Sequence, residues 1–233
     1  MNSTASIEDR LAGVRKRIAQ AELRFDRKPG GVQLLVVSKT FPVECIVDAI
    51  HAGQRQFGEN YLQEAQDKMA DSRLNATAIE WHFIGPVQGN KAGKIARAFD
   101  WVHTVDKLAI AEKLNEQRPA HLPPLNICIQ VNISAEPSKA GVTLEELWEL
   151  ATEVAKLPRL CLRGLMAIPK PAADLAQQRR PFRALHEIFQ QLNTAGLLLD
   201  TLSMGMSDDL EAAIAEGATL IRIGTAIFGA RQG

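Results

Sequence analysis

The chain has 233 residues, of which 46% are hydrophobic, and it balances 27 basic residues against 27 acidic ones. This length is enough for one large α/β domain or two small ones, each with a substantial core. The balanced charge and the lack of a basic tract argue against nucleic acid or an anionic membrane as the main partner, and the lack of a long apolar run or apolar leader predicts a soluble cytosolic protein.

The first part of the chain predicts a helix followed by a short buried strand. Apolar residues recur at helical spacing over 7–25, and a turn signal follows at 28–31. The stretch 33–40 contains four consecutive apolar residues, which is typical of a strand buried on both faces. Pro42 then opens an amphipathic helix. Lys39 is therefore predicted at the C-terminal tip of a core strand, where α/β folds place ligand sites.

A lysine that is partly removed from water at such a tip can act as a nucleophile towards a carbonyl group. The simpler alternative is a lysine that extends to solvent from a strand end, as most lysines do.

Seven more short apolar runs follow, and helical patterns separate them. The runs cover 55–57, 81–84, 101–103, 126–131, 161–167, 201–203 and 220–223, and the helical patterns cover 43–51, 61–69, 91–99, 107–117, 144–157, 175–193 and 210–215. Repeated strand–helix units predict parallel strands joined by right-handed crossovers. Eight units in this length predict a single (β/α)8 TIM-type barrel with an extra N-terminal helix, forming one domain over 1–233. A doubly wound open sheet is the alternative, but it usually has a glycine-rich first turn, which 38–40 does not supply.

In a barrel of this kind the tips of all strands lie on one face, so the residues at the tips can form a site. The last two tips contain Gly205 and Gly224, which let backbone amides approach a ligand, and Ser207 or Thr225 can cap the helices that follow. Amide groups at a helix start bind anions, and phosphate sites after strands seven and eight recur in this fold. We therefore predict a phosphate site opposite Lys39, although ordinary strand-to-helix turns have the same composition.

A nucleophilic lysine together with a phosphate site indicates a carbonyl ligand that bears a phosphate. Two classes fit, namely pyridoxal 5′-phosphate (PLP) and a sugar phosphate in a Schiff-base aldolase. Arg222 favours PLP, because it shares a strand face with Gly224 and because arginine is a known partner of the pyridine nitrogen. Since arginine stays protonated, the ring nitrogen would remain neutral and the cofactor would be a weaker electron sink. Alternatively, Arg222 pairs with a carboxylate in the barrel mouth.

Six short motifs together resemble the pyridoxal phosphate homeostasis protein family. They are Val36-Val37-Ser38-Lys39-Thr40, Phe57-Gly58-Glu59-Asn60-Tyr61, Trp81-His82-Phe83-Ile84-Gly85, Ser138-Lys139-Ala140-Gly141, Ser203-Met204-Gly205-Met206-Ser207 and 221–229. The resemblance spans nearly the whole chain in register. This family is similar to the barrel domain of alanine racemase without its second, β-rich domain.

The resemblance implies that Lys39 holds PLP as an aldimine and that the protein serves intracellular PLP homeostasis, by buffering the cofactor or delivering it to apo-enzymes. It places Arg222 opposite the pyridine nitrogen and suggests a role in PLP transfer for Lys139. The remaining implied cofactor-binding residues are Ser203, Ser207, Gly224 and Thr225 around the phosphate, and Asn60, His82 and Met204 along the ring.

Racemisation on PLP requires two acid/base groups, one on each face of the substrate carbanion. Lys39 can serve one face, whereas the resemblance to alanine racemase places the other group on a tyrosine of a second domain. Tyr61, the single tyrosine, begins a predicted helix and is interpreted as a packing residue. His82 is a candidate substitute base, but we favour a histidine that contacts the ring or is satisfied in the core. We therefore expect a non-catalytic PLP carrier, with a PLP-dependent amino-acid racemase as the alternative.

The three cysteines and the five histidines show no metal-ligand spacing, so we expect no metal. Cys45, Cys128 and Cys161 lie far apart and are interpreted as small core residues of a reducing compartment. Because the contacts of a second domain are missing, we expect a monomer.

Overall fold

The computed structural model describes residues 5–136 and 139–229, and its centre is a closed barrel of parallel strands. Each strand pairs with the next along the chain, and β8 pairs with β1 to close the barrel. In the described ranges the eight strands are β1 (Gln33–Val37), β2 (Gln56–Glu59), β3 (Glu80–Phe83), β4 (Trp101–Val105), β5 (Leu125–Gln130), β6 (Leu160–Met166), β7 (Thr201–Ser203) and β8 (Leu220–Ile223).

Helices surround the barrel and connect its strands. Over the same ranges they are α1 (Ile7–Arg24), α2 (Val43–His51), α3 (Leu62–Met69), α4 (Ala92–Ala98), α5 (Leu108–Gln117), α6 (Leu144–Val154), α7 (Leu175–Thr194), α8 (Leu210–Ala215) and α9 (Thr225–Phe228). A short 3₁₀ helix at Ser72–Leu74 precedes β3. These elements confirm the predicted (β/α)8 barrel with an extra N-terminal helix.

No helix in the described part of the chain has both the length and the hydrophobicity needed to cross a membrane.

The barrel has two packing layers because successive residues of a strand point to opposite faces. In β8, Ile221 and Ile223 belong to the main hydrophobic core, which lies between the strands and the helices. Arg222, between them, instead lines a cavity at the C-terminal end of the barrel. A smaller apolar cluster of Trp101, Cys128 and Met166 separates from the main core. The alternation thus decides which side chains can reach the site.

Several predicted elements match the observed ones residue for residue, and one prediction at the start of the barrel is wrong. The predicted bounds of α2, α8, β7 and β8 agree with the observed bounds. Lys39, however, does not end a strand, because β1 stops at Val37 and the chain then turns. Thr40 adopts a left-handed backbone conformation with φ of 66°, which a strand does not accommodate. Lys39 therefore lies in the β1–α2 turn.

The extra helix α1 begins at a capping box and packs beside the first and last helices of the barrel. The Ser6 hydroxyl accepts a hydrogen bond from the Asp9 amide at 3.1 Å, and the Asp9 carboxylate accepts one from the Ser6 amide at 3.1 Å. The apolar face of α1, which includes Leu11, Val14 and Ile18, is buried against α2, α8 and α9. This helix covers the side of the barrel where β8 meets β1.

Gly164 in β6 lies where the backbone of β7 comes very close, so a substitution at this position tests the strand register. A Cβ atom at this position would overlap the backbone carbonyl oxygen of Thr201 in β7, whereas a Cβ atom at Gly13 in α1 would meet nothing within 4 Å. We expect Gly164→Ala to lower the free energy of unfolding by about 3 kcal/mol. Gly13→Ala should raise it by about 0.5–1 kcal/mol, because alanine favours the helix. Urea unfolding measures both changes, and an equal effect of the two substitutions would contradict the strand register.

Candidate functional site

A cavity of about 600 Å³ opens at the C-terminal end of the barrel, where ligand sites of this fold lie. The turn after β1 and the loops after β7 and β8 form much of its wall. Six of the predicted site residues line it, namely Lys39, Asn60, Ser207, Arg222, Gly224 and Thr225. Segments far apart in the sequence thus converge on one volume.

Lys39 reaches this cavity because the alternation of β1 continues into its turn. Val37 and Lys39 line the cavity, whereas Ser38 between them is fully buried and donates to the Glu59 carboxylate at 2.7 Å. Lys39 is half-buried. Lys39 therefore forms part of the cavity wall and is not fully exposed to solvent.

Each of the loops after β7 and β8 contains a glycine at which neighbouring residues pack closely against the backbone. Gly205 has φ of 95°, and a Cβ atom there would lie 2.5 Å from the Ala213 side chain. A Cβ atom at Gly224 would lie 3.0 Å from the Val37 carbonyl oxygen, so β8 and β1 converge beside the cavity. The first amides of α9, which begins at Thr225, have no acceptor within the helix and are suited to an anion.

The prediction that Ser207 or Thr225 caps the following helix is wrong. The residue at the start of α8 is Asp209, and the one at the start of α9 is Gly224; neither makes a side-chain capping hydrogen bond. Thr225 is already the first residue of α9, since the turn is one residue shorter than the capping pattern assumed. Both hydroxyl residues nevertheless line the cavity and are not used as caps.

The extra helix α1 contributes a cation that the sequence analysis missed. Arg17 lines the cavity and donates to the Ser207 carbonyl oxygen at 3.1 Å. The same guanidinium makes a bidentate contact with the Glu211 carboxylate, at 2.9 and 3.1 Å. Arg17 therefore ties the extra helix to the loop after β7, and its charge is paired with Glu211. The helical pattern over 7–25 predicted this helix but not which end of the barrel it reaches.

Arg222 is buried, with 4% of its surface exposed, and its charge is satisfied by uncharged oxygens. One guanidinium nitrogen donates to the Ser203 carbonyl at 2.6 Å and to the Ser203 hydroxyl at 2.8 Å, and the other donates to the Ala167 carbonyl at 3.0 Å. Among the described residues Arg222 makes no ion pair with a carboxylate. The alternative prediction, that Arg222 pairs with a carboxylate in the barrel mouth, is therefore wrong. Burial lowers the pKa of Arg222 to about 10, which leaves the group charged at neutral pH.

A chain of hydrogen bonds extends from Arg222 through the barrel interior. The Ser203 hydroxyl lies 2.8 Å from His103 Nδ1, His103 Nε2 lies 2.9 Å from His82 Nδ1, and His82 Nε2 lies 2.8 Å from the Glu80 carboxylate. Both imidazoles are fully buried, and the chain ends at Glu80, whose side chain is 41% exposed. The interior of the barrel thus holds one continuous polar path from the cavity towards the opposite end.

This chain has one direction, because the Glu80 carboxylate can only accept a hydrogen bond and a neutral imidazole donates from a single nitrogen. His82 therefore donates from Nε2 to Glu80 and accepts at Nδ1 from His103 Nε2. His103 accepts at Nδ1 from the Ser203 hydroxyl, which itself accepts from Arg222. Burial lowers the pKa of His82, with Glu80 opposing the shift, and burial lowers the pKa of His103 well below its ordinary value. Both imidazoles are therefore neutral, each in a fixed tautomer.

Three predicted site residues, Ser203, His82 and Met204, do not line the cavity. Ser203 is buried between Arg222 and His103, which use its hydroxyl. His82 stacks on Trp101, with ring centroids 5.3 Å apart. Met204 follows Ser203 and points to the other face of the chain, into the main hydrophobic core. Ser203 and His82 therefore lie in the polar interior behind the cavity wall, and Met204 lies in the main core.

Two further predicted residues lie outside the cavity lining. Lys139 pairs with Glu136 at 2.7 Å, and its amine is 3.5 Å from the carbonyl oxygen of Ile168, a cavity residue. Ser138, which precedes Lys139 in its motif, lies outside the described residues. Tyr61 is 56% exposed at the start of α3, so its interpretation as a packing residue is wrong. Lys139 is therefore near the cavity rim, and the Tyr61 side chain is exposed at the protein surface.

Asn60 supplies an unsatisfied polar group to the cavity wall. Its side-chain oxygen is buried and has no hydrogen-bond partner within the described ranges. Such an atom is costly unless a ligand or solvent satisfies it. Over those ranges no group of three or more histidine, cysteine, aspartate or glutamate residues is arranged to hold a metal ion.

Comparison with known proteins identifies close relatives along the whole chain. The family model described as the N-terminal domain of alanine racemase matches residues 11–232. The pyridoxal phosphate homeostasis protein of Escherichia coli is 57% identical over 227 residues, covering 97% of both chains.

Solved structures also match this chain over nearly its whole length. PipY of Synechococcus elongatus, in a structure with PLP bound, is 37% identical with a TM-score of 0.85, covering 96% of this chain and 100% of that one. Alanine racemase from Corynebacterium glutamicum shares the fold at 17% identity and a TM-score of 0.71, covering 97% of this chain and 62% of that one.

The buried histidines predict a pH dependence of stability. Below about pH 6.5 the unfolded chain binds protons that His82 and His103 do not bind when folded, so the free energy of unfolding should fall as the pH falls. A histidine that stays neutral in the folded state accounts for about 1.4 kcal/mol between about pH 7.5 and about pH 5.5. Urea unfolding of His103→Asn should show a pH-dependent loss smaller by this amount than that of the wild type. The same change at His121, an exposed loop residue, is the control. Equal pH dependence in His103→Asn and wild type would contradict a buried neutral His103.

Proposed function

Because the chain belongs to the pyridoxal phosphate homeostasis protein family, we propose that it binds PLP in the cavity at the C-terminal end of the barrel and serves PLP homeostasis. The observation that carries this proposal is the convergence of Lys39, Arg222 and the loops after β7 and β8 on that cavity. Its volume of about 600 Å³ falls within the range of small-molecule sites. The name of the Escherichia coli relative and the PLP in the PipY structure support the same ligand.

Lys39 is proposed as the residue that bonds to the cofactor. Its amine adds to the aldehyde carbon, and water leaves as the carbon–nitrogen double bond of the Schiff base forms. The position of Lys39 in the cavity wall, half-buried in the turn after β1, supports this role. Asn60 supports it as well, because its buried oxygen requires a donor that a polar ligand or its bound water can supply.

The phosphate is proposed to lie against the loops after β7 and β8. Ser207, Gly224 and Thr225 line that wall, and the turn into α9 presents backbone amides. Arg17 brings a guanidinium, paired with Glu211, to the same side from α1. The arrangement places hydrogen-bond donors together, which is what a phosphate requires.

Arg222 is proposed to face the pyridine nitrogen of the ring. PLP supplies an electron-withdrawing ring when bound, and its strength depends on protonation of that nitrogen. Arg222 can donate to the nitrogen but cannot protonate it fully, because an arginine keeps its proton at neutral pH. The resulting weak electron sink suits a protein that holds the cofactor more than one that stabilises a carbanion on it.

The lining of the cavity also favours a carrier over a racemase. The described lining contains no histidine and no tyrosine, since His82 lies behind Arg222 and Tyr61 is elsewhere on the surface. Asp208 is the one carboxylate within that lining, so a racemase would have to use it as the second base. We favour buffering or delivery of PLP to apo-enzymes by an intracellular monomer consisting of a single domain.

Lys139 is proposed to take part in transfer. Its amine lies close to the carbonyl of Ile168, on the rim of the cavity, and so it is near the path that a leaving cofactor would take.

Lys39→Ala should abolish the visible absorbance band that appears when the protein is mixed with PLP, because that band belongs to the Schiff base. Borohydride reduction of the wild-type complex followed by peptide mapping should place the label on Lys39. The matched control is Lys156→Ala, which removes an exposed lysine just after the end of α6, outside the cavity lining, and should leave the band unchanged. An undiminished band in Lys39→Ala would contradict the assignment.

The carrier and racemase alternatives predict different results from one preparation. The PLP-loaded protein should restore activity to an apo form of a PLP-dependent aminotransferase and should produce no steady change in the optical rotation of L-alanine. Lys139→Ala should slow the restoration while leaving the visible band intact. Steady racemisation that disappears in Asp208→Asn would overturn the carrier proposal and establish the enzyme.

A further inference from the structure

Helix α3 sends a lysine into the protein interior directly behind the turn that carries Lys39. Lys68 is 5% exposed, and its amine has three acceptors. It lies 2.8 Å from the Ser38 carbonyl oxygen, 2.7 Å from the Glu59 carboxylate and 2.6 Å from the Glu64 carboxylate. Three oxygens are the full complement that an ammonium group can serve. The cation is thus completely engaged in one ionic cluster.

The same cluster holds the backbone on both sides of Lys39. On one side Lys68 binds the Ser38 carbonyl, and the Ser38 hydroxyl donates to Glu59 at 2.7 Å. On the other side the Thr40 amide donates to Glu64 at 2.5 Å. Both peptide groups that flank the Lys39 Cα atom are therefore attached to a single set of charges.

The turn needs such support because of the backbone conformation at Thr40. Its φ of 66° is in the left-handed region, which is a marked outlier for a β-branched residue. A strained conformation persists when the surroundings hold it, and it often occurs at functional sites. If these contacts were removed, the turn could relax to ordinary dihedral angles, and the Cα atom of Lys39 would move with it.

The cluster is also an expensive arrangement for stability alone. Glu59 is fully buried, burial raises the pKa of its carboxyl group, and Lys68 opposes that shift. Its second oxygen has no hydrogen-bond partner among the residues described. Apolar side chains of similar volume often replace a buried ion pair without loss of stability. The cluster is therefore better explained by the geometry that it imposes on the turn.

We propose that Lys68, with Glu59 and Glu64, is a positioning cluster that directs the amine of Lys39 into the cavity for Schiff-base formation. This inference rests on the proposed PLP binding at Lys39. Lys68 is not among the described residues that line the cavity. Its loss should consequently weaken covalent attachment and leave the noncovalent hold on the phosphate intact.

The test separates covalent attachment from binding. In Lys68→Met, stopped-flow absorbance should show Schiff-base formation slowed by about ten-fold, because small displacements of a reacting group have large kinetic effects. Lys68→Arg, which keeps the charge, should recover part of the rate. In a Lys39→Ala background, which cannot form the bond, Lys68→Met should leave the dissociation constant of PLP in equilibrium dialysis within about two-fold.

A matched control removes the effect of stability. Leu114→Ala creates a cavity under α5, at a fully buried position away from the β1 turn, and should destabilise the protein while leaving the rate of Schiff-base formation unchanged. Equal rates in Lys68→Met and Leu114→Ala would overturn the positioning role. A wild-type protein without any visible band would instead overturn the proposed function itself.

Glu64 provides a second route if Lys68→Met fails to fold. It is partly exposed on α3, so its replacement does not disturb the core. Glu64→Ala removes the acceptor of the Thr40 amide and should slow Schiff-base formation by about three-fold, whereas Glu64→Gln keeps an acceptor and should restore the rate. Identical rates for the alanine and glutamine variants would also count against the proposal.

Discussion

Arg222 lines the cavity with its guanidinium donating to both oxygens of Ser203 and to the carbonyl of Ala167. Burying an ion is costly unless hydrogen bonds compensate it, and these contacts do so without neutralising it. Arg222 consequently keeps its charge in the cavity wall. Behind it, hydrogen bonds connect Ser203 through His103 and His82 to Glu80, near the opposite end of the barrel. The polar interior of the barrel is thus arranged around one cation.

The other half of the site depends on a different ionic group. Lys39 is in a turn whose two flanking peptide groups are bound by charges from β2 and α3, whereas Arg222 is held from inside the barrel. Closure of the barrel by pairing of β8 with β1 brings these two systems together. In the proposed function they act on opposite ends of the same ring, with the phosphate gripped between them by the last loops and Arg17.

The sequence was sufficient for the barrel and for one wall of the cavity. The alternation of side chains along a strand predicted that Arg222 and Gly224 share one face. The same alternation continues past the end of β1, so Lys39 lines the cavity. Alternation does not predict how deep in the barrel a side chain lies, however. Ser203 and His82 point inward as expected but lie below the cavity wall, and Met204 was assigned against the alternation. His103 was missed because its partners are 21 and 100 residues away, and nothing local indicates such contacts. Arg17 was missed because the position of α1 on the barrel depends on tertiary packing.

The most direct measurement of the central claim is a crystal structure of the protein grown with PLP. The account predicts continuous density from the Lys39 amine to the cofactor, the pyridine nitrogen within hydrogen-bond distance of the Arg222 guanidinium, and the phosphate against the turn at Gly224. A cofactor bonded to another lysine, or a ring with its nitrogen directed away from Arg222, would contradict the account.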